Sequence, residues 1–309
     1  MSIKNAFKLL FNRFEIVGEI LLYLFIMLVV FCGLGAIFVQ PIIQATIDSD
    51  INADIVQFYS TIINNTAGGT ESILSRLKEI LRTVKGIFIG EEGIIFKTFY
   101  VPILCFVVFN LLFHMYELPL CKVLEARMSS NAKISLMGNV ISQSGKSAIF
   151  VLVKLLFIIL TDSIILFTMW GAYKILRMYS LPLLIPFVWL LLILLLLSFR
   201  KCFTITWVQR MVIGEKQIFK AFGASIRDGF GHFRTTFAGH FVCYLLAFVV
   251  NGLMALITFG VGLIISVPVT IMYFKLLEMT SYYSWNGKRY YLDGQRIVGK
   301  EPELTERLD

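Results

Sequence analysis

Apolar residues in this chain come in long runs, separated by more polar and often basic stretches. The runs cover about residues 20–39, 99–120, 148–173, 181–199, 237–259 and 261–281. Each is close to the ~20 residues that a helix needs to cross a hydrocarbon layer. A spanning β-barrel would show short segments of alternating polarity instead, and no such alternation occurs. The pattern predicts an all-α integral membrane fold with six transmembrane helices. A short loop joins the third run to the fourth, and Gly260 lies between the fifth and sixth. Both pairs therefore read as hairpins.

A second pattern precedes the runs. Within residues 1–15, Ile3, Phe7, Leu10, Phe11 and Phe14 share one helical face, while Lys4, Lys8 and Arg13 fall elsewhere. Such a helix lies in a membrane interface. Basic stretches at 121–146 and 200–234 precede the third and fifth runs, and Phe219, Phe222, Ile226 and Phe230 form an apolar stripe in the latter. Arg127-Met128 with Lys133, and Arg210-Met211 with Lys216, repeat at one internal spacing. The predicted unit is a cytoplasmic amphipathic helix leading into a hairpin of two spans, present three times. Chance recurrence of common Phe and Lys is the alternative. Three hairpins of one orientation are related by an axis along the membrane normal, unlike the inverted repeats of many transporters.

A single polytopic domain is predicted over residues 1–309, with an external helical insertion at 40–97 and a cytoplasmic tail at 282–309. In the insertion, Ile73, Leu77, Ile80, Leu81, Val84 and Phe88 recur at helical spacing, so two helices are expected there. In the tail, Asn286-Gly287 is a turn signal between aromatic residues, and a small hairpin is expected over 282–291. The side that holds the termini carries 19 Lys and Arg and the other carries 7. Five of those 7 belong to the long insertion, where the positive-inside rule counts least. Both termini are predicted cytoplasmic in a multi-pass protein of the cell membrane.

Hydrophobic residues make up 58% of the chain and charged residues 16%, with a mean hydropathy of +0.80. A soluble domain carries about 25% charge, so composition agrees with the runs. The net charge of +8 fits basic loops facing anionic lipid. Nucleic acid is not expected, because no basic module with interleaved aromatics is present. The expected partners are membrane lipids of an anionic inner leaflet, with a membrane-protein partner also open. Lys4, Lys8, Arg13, Arg127, Lys133, Arg210, Lys216 and Lys220 are the candidate lipid contacts. Cys32, Cys105, Cys121, Cys202 and Cys243 form no CxxC pair and read as packing residues. With three His in the chain, no metal centre and no cofactor are expected.

Ionisable groups inside a span are costly, and each calls for a role. Asn110, His114 and Glu117 share one face of the second span. His114 could relay protons and Glu117 could hold a cation, or both could simply join helices near the interface. Lys154 and Asp162 lie in the third span, roughly 12 Å apart along the helix, too far for a direct pair. Lys154 could snorkel to the inner boundary. Asp162 could be an ion or proton site, or could pair with a polar group on another span. Asn251, with His240 and Tyr244, lines one stripe of the fifth span, where hydrogen bonding to a neighbouring helix is the simpler role. Lys275 and Glu278 read as a local pair in the sixth span, which also carries Pro268.

The layout, with segments such as 215–230 (EKQIFKAFGASIRDGF) leading into a span, resembles the membrane domain associated with bacterial glycerophosphoryl diester phosphodiesterases. The soluble barrel of that family and its metal-binding carboxylates have no counterparts here. The resemblance therefore implies an architecture and no activity. No Walker A loop, GxSxG elbow or HExxH occurs. The leading expectation is a non-enzymatic protein of a bacterial cell envelope that organises lipids or partner proteins. The alternative is a small transporter or channel built around Asp162. A lipid-modifying enzyme using His114 and Glu117 ranks third, for want of a nucleophile.

Overall fold

The computed structural model describes residues 3–47, 78, 92–179, 181, 184–214, 216–292 and 297–298. Among these, the helices are α1 (Ile3–Asn12), α2 (Glu15–Ile47), α3 (Glu92–His114), α4 (Glu117–Ser129), α5 (Leu136–Ser142), α6 (Ser144–Met178), α7 (Ile185–Thr204), α8 (Trp207–Val212), α9 (Ile218–Gly231), α10 (Phe233–Ile257) and α11 (Leu263–Trp285). Two short strands follow, β1 (Tyr290–Tyr291) and β2 (Ile297–Val298), paired antiparallel.

Six helical segments are long and apolar enough to cross a membrane: Glu15–Leu34, Ile103–Ser129, Ser144–Met178, Ile185–Val212, Phe233–Ile257 and Leu263–Trp285. Their outward faces carry large apolar side chains, among them Leu156 at 71%, Phe187 at 72% and Leu256 at 77% exposure. Such faces are stable in hydrocarbon and would associate in water. The chain is an all-α, multi-pass membrane protein.

The residues fall into two compact units, one of Met1–Phe25 with Phe113–Asp309 and one of Ile26–Leu112. In the second unit, the rings of Phe31 in α2 and Phe109 in α3 meet edge-on at 5.3 Å. Residues 48–91 other than Lys78 lie outside the described residues, and with them most of the insertion.

In the first unit, α9 lies along α7. The face that it buries is its smallest one: Ala221, Ser225 and Gly229, spaced four apart. A Cβ at Gly229 would stand 1.7 Å from the Cys202 carbonyl oxygen, so only glycine permits this approach. Ser225 Oγ accepts from the Thr206 amide at 3.2 Å, and Trp207 Nε1 donates to the Ile218 carbonyl at 3.1 Å. Arg210 in α8 donates to both carboxylate oxygens of Asp228 in α9 at 2.8 Å. The expected aromatic stripe is divided. Phe219 (74%) and Phe230 (48%) are exposed, whereas Phe222 packs against Trp207 at 4.5 Å.

The first helix behaves alike. It packs on α11, burying Ala6, Leu9 and Leu10, and leaves Phe7, Phe11 and Phe14 exposed. Asn5 Nδ2 donates to the Tyr290 hydroxyl at 2.8 Å, and Asn12 Nδ2 to the Leu292 carbonyl at 3.1 Å, tying the N-terminus to the tail. The short α5 packs on α4, whose other neighbours include α8, α11 and β1. Packing among the spans pairs α6 with α7, α10 with α7 and α10 with α11.

The tail departs from expectation. Asn286 caps α11, and Gly287 takes the left-handed backbone that a helix end favours (φ +63°). The Asn-Gly pair thus ends a helix rather than turning a hairpin. The strand pair forms further on, with Tyr290 opposite Val298.

Candidate functional site

The site begins at a break in the second span. Pro119 has no N–H to give to the carbonyl four residues earlier, so α3 stops at His114 and α4 restarts at Glu117. Proline in a first turn loses nothing by lacking that donor. The break leaves Glu117 in the first turn of α4, where a carboxylate is favoured by the helix dipole.

Four helices bring charges to Glu117 and its neighbours. Lys154 Nζ of α6 lies 2.5 Å from Glu117 Oε1 and 3.2 Å from His114 Nδ1. His114 Nδ1 is itself 2.9 Å from Glu117 Oε1. A carboxylate oxygen only accepts, so this shorter contact places a proton on Nδ1, and Lys154 and His114 then share Glu117 Oε1 as acceptor. Lys275 Nζ of α11 lies 3.6 Å from Glu117 Oε2 and 3.1 Å from Glu278 Oε2. Lys201 of α7 donates to Glu278 Oε1. Glu117, Lys275 and Glu278 are buried. Charges this deep persist where they are paired and hydrogen-bonded, and a buried pair broken on one side is costly.

The network borders a cavity of about 650 Å³. Lys154, Lys201, Lys275, Arg200, Glu117 and Glu278 line it with charge. Apolar walls come from residues such as Phe113, Ile193, Leu197, Phe248 and Phe274. Asn251 also lines it. Its Nδ2 donates to Thr270 Oγ1 at 3.1 Å and to the Ala247 carbonyl at 2.8 Å. The buried Asn251 Oδ1 has no partner among the described residues.

The other sequence candidates are placed differently. Asp162 Oδ1 accepts from Arg200 Nη1 at 2.6 Å, pairing α6 with α7, and is not a lining residue. Of its two expected roles, the structure displays the pair. Asn110 lies in the second unit and donates to the Phe106 carbonyl of its own helix at 2.9 Å. His240 is fully buried, with Nδ1 3.0 Å from the Thr236 carbonyl. Lys154 is held by Glu117. Lys201 and Arg200, assigned from the sequence to a basic loop, stand in the last turns of α7.

The candidate lipid contacts divide as well. Lys4, Lys8, Lys133, Lys216 and Lys220 are exposed, although Lys133 comes within 3.9 Å of Glu15. Arg127 is buried, with Nη1 2.6 Å from Glu15. Arg13 donates to Asn131 Oδ1 at 2.5 Å, and Arg210 is held by Asp228. These three guanidinium groups bind protein.

Among the described residues, no three His, Cys, Asp or Glu side chains stand close enough to hold a metal ion. What the network offers is a set of ammonium donors bordering an apolar chamber. No family model, no curated protein and no solved structure matches the chain.

Proposed function

We propose that this protein is a non-enzymatic membrane protein that takes an amphiphile of the bilayer into its intramembrane cavity. One observation carries the reading: a cavity of about 650 Å³ among the spans has apolar walls over most of its lining and charge gathered in one connected ion-pair network. Its volume falls in the range of about 300–1,000 Å³ usual for small-ligand sites. Phe248, which lines it, is 52% exposed. The expectation of a lipid-organising protein and that of a small transporter meet here, with the cavity residues replacing Asp162 at the centre.

The layout supports the same reading. The six spans form three hairpins, each introduced by a cytoplasmic amphipathic helix, with both termini inside. Each such helix packs on the closing span of another hairpin: α5 on α4, α9 on α7 and α1 on α11. The exposed Phe7, Phe11, Phe219 and Phe230 then reach into the inner leaflet, with Lys4, Lys8 and Lys220 at its anionic surface.

Trp207 lines the cavity and reports its occupancy. An amphiphile with a brominated chain, titrated into the protein in neutral detergent, should quench part of the tryptophan emission saturably. Trp207→Phe should remove that part. Quenching that only rises in proportion to added amphiphile, with or without Trp207, would overturn the reading.

A further inference from the structure

Two carboxylates face three ammonium groups in the network, which leaves one positive charge in excess before any on His114 is counted. All four carboxylate oxygens are engaged. Glu117 Oε1 is met by Lys154 and His114, and Glu117 Oε2 by Lys275. Glu278 Oε2 is met by Lys275, and Glu278 Oε1 by Lys201. The donors are in surplus. An ammonium carries three N–H groups, and Lys201 meets a single carboxylate oxygen while lining the cavity. Arg200, one residue earlier, also lines the cavity and is held by Asp162 through one nitrogen, Nη1.

A surplus cation in a low-dielectric chamber is stabilised by an anion that brings acceptors to the idle donors. The apolar walls ask for a hydrocarbon tail on that anion. Resting on the reading above, we propose that the occupant is an acidic amphiphile, its carboxylate or phosphate headgroup bound by Lys201, Lys154 and Arg200 and its chain along Ile193, Leu197 and Phe248. The headgroup lodges beside Lys201, where the unused donors are, and Glu117 and Glu278 hold the lysines in place. A cation is refused by the same surplus, and a zwitterion brings a positive group that the site repels.

The chemistry admits a lipid headgroup or a free anion, so the test has arms for both. The brominated probe is displaced from the purified full-length protein by amphiphiles of one chain length. Their headgroups are a carboxylate, a phosphate monoester, phosphocholine and neutral glycerol. Inorganic phosphate forms the fifth arm. The acidic amphiphiles should displace the probe at least about tenfold more tightly than the neutral one, a preference expected of charge-assisted bonds. In Lys201→Met the preference of acidic over neutral amphiphile should shrink to about threefold or less. Arg200→Gln should give a smaller change in the same direction. Equal displacement by acidic and neutral amphiphiles would overturn the inference and leave the cavity reading standing. Displacement by none of them would overturn both. Displacement by inorganic phosphate alone would show an anion site without a tail, and would overturn the amphiphile. The wild-type comparison decides the matter even if a variant fails to fold.

Discussion

Among the described residues, Glu117 gathers the most ionisable partners, because Lys154, Lys275 and His114 all converge on it. Replacing it with glutamine keeps the shape and removes the charge that compensates two buried ammonium groups. Glu117→Gln should therefore lower stability by about 3–5 kcal/mol, read as thermal or denaturant unfolding in detergent. A loss below ~1 kcal/mol would mean that water already serves these lysines. The Asp162–Arg200 pair is different, since both partners are partly exposed. A double-mutant cycle of Asp162→Asn with Arg200→Gln should give a coupling of about 1 kcal/mol, as for polar contacts between membrane helices. At this scale the sequence was half legible. His114, Glu117, Lys154 and Asn251 stood out because each interrupts an apolar run. Lys201 did not, because the fourth apolar run ends at Phe199 while the helix continues to Thr204. The pairing of Lys154 with Glu117 joins residues 37 apart in the chain, and no local spacing encodes it.

Among the elements, α9 shows how an amphipathic pattern can mislead. Its aromatic residues drew attention as the apolar face, yet the face pressed on α7 is Ala221, Ser225 and Gly229. Close helix packing needs small residues on the contact, since within a bilayer large apolar side chains gain little by leaving lipid. Gly229→Ala must push α9 away from the Cys202 carbonyl and should cost about 2–3 kcal/mol. Gly223→Ala on the same helix meets nothing within 4 Å and should stabilise by up to about 1 kcal/mol through helix propensity alone. Comparing the two variants by unfolding separates packing from propensity. Equal effects would contradict the proposed contact. Element boundaries show the same division. The run lengths and Gly260 located the spans, and the turn before α11 does contain Gly260 at φ +90°. Pro119 marks the break before α4, but its consequence, an inward imidazole and carboxylate at one joint, depends on α6 and α11 arriving there. Asn286-Gly287 suits a hairpin or a helix cap equally, and the cap forms because α11 continues to Trp285.

For the whole molecule, the network and the ring of helix contacts belong together. Glu117, Lys201 and Lys275 with Glu278 come from the closing spans of the three proposed hairpins, and Lys154 joins them from an opening span. Each of these spans also seats a shorter helix: α5 on α4, α9 on α7 and α1 on α11. Closure depends on α1, which covers α11 from the far end of the sequence. Removing residues 1–12 should leave α11 uncovered and the tail unanchored, and should be read as loss of a single cooperative unfolding transition. A truncated protein that unfolds with the wild-type midpoint would remove α1 from the closure. The six spans were visible in the apolar runs. The chamber between them was not, because it exists only where segments distant in sequence meet.

The most direct measurement is an experimental structure of the full-length protein in nanodiscs that contain an acidic single-chain amphiphile. The account predicts density for its headgroup within hydrogen-bond reach of Lys201 and for its chain between α7 and α10. A chamber that stays empty under saturating amphiphile, with the three lysines contacting Glu117 and Glu278 alone, would contradict it.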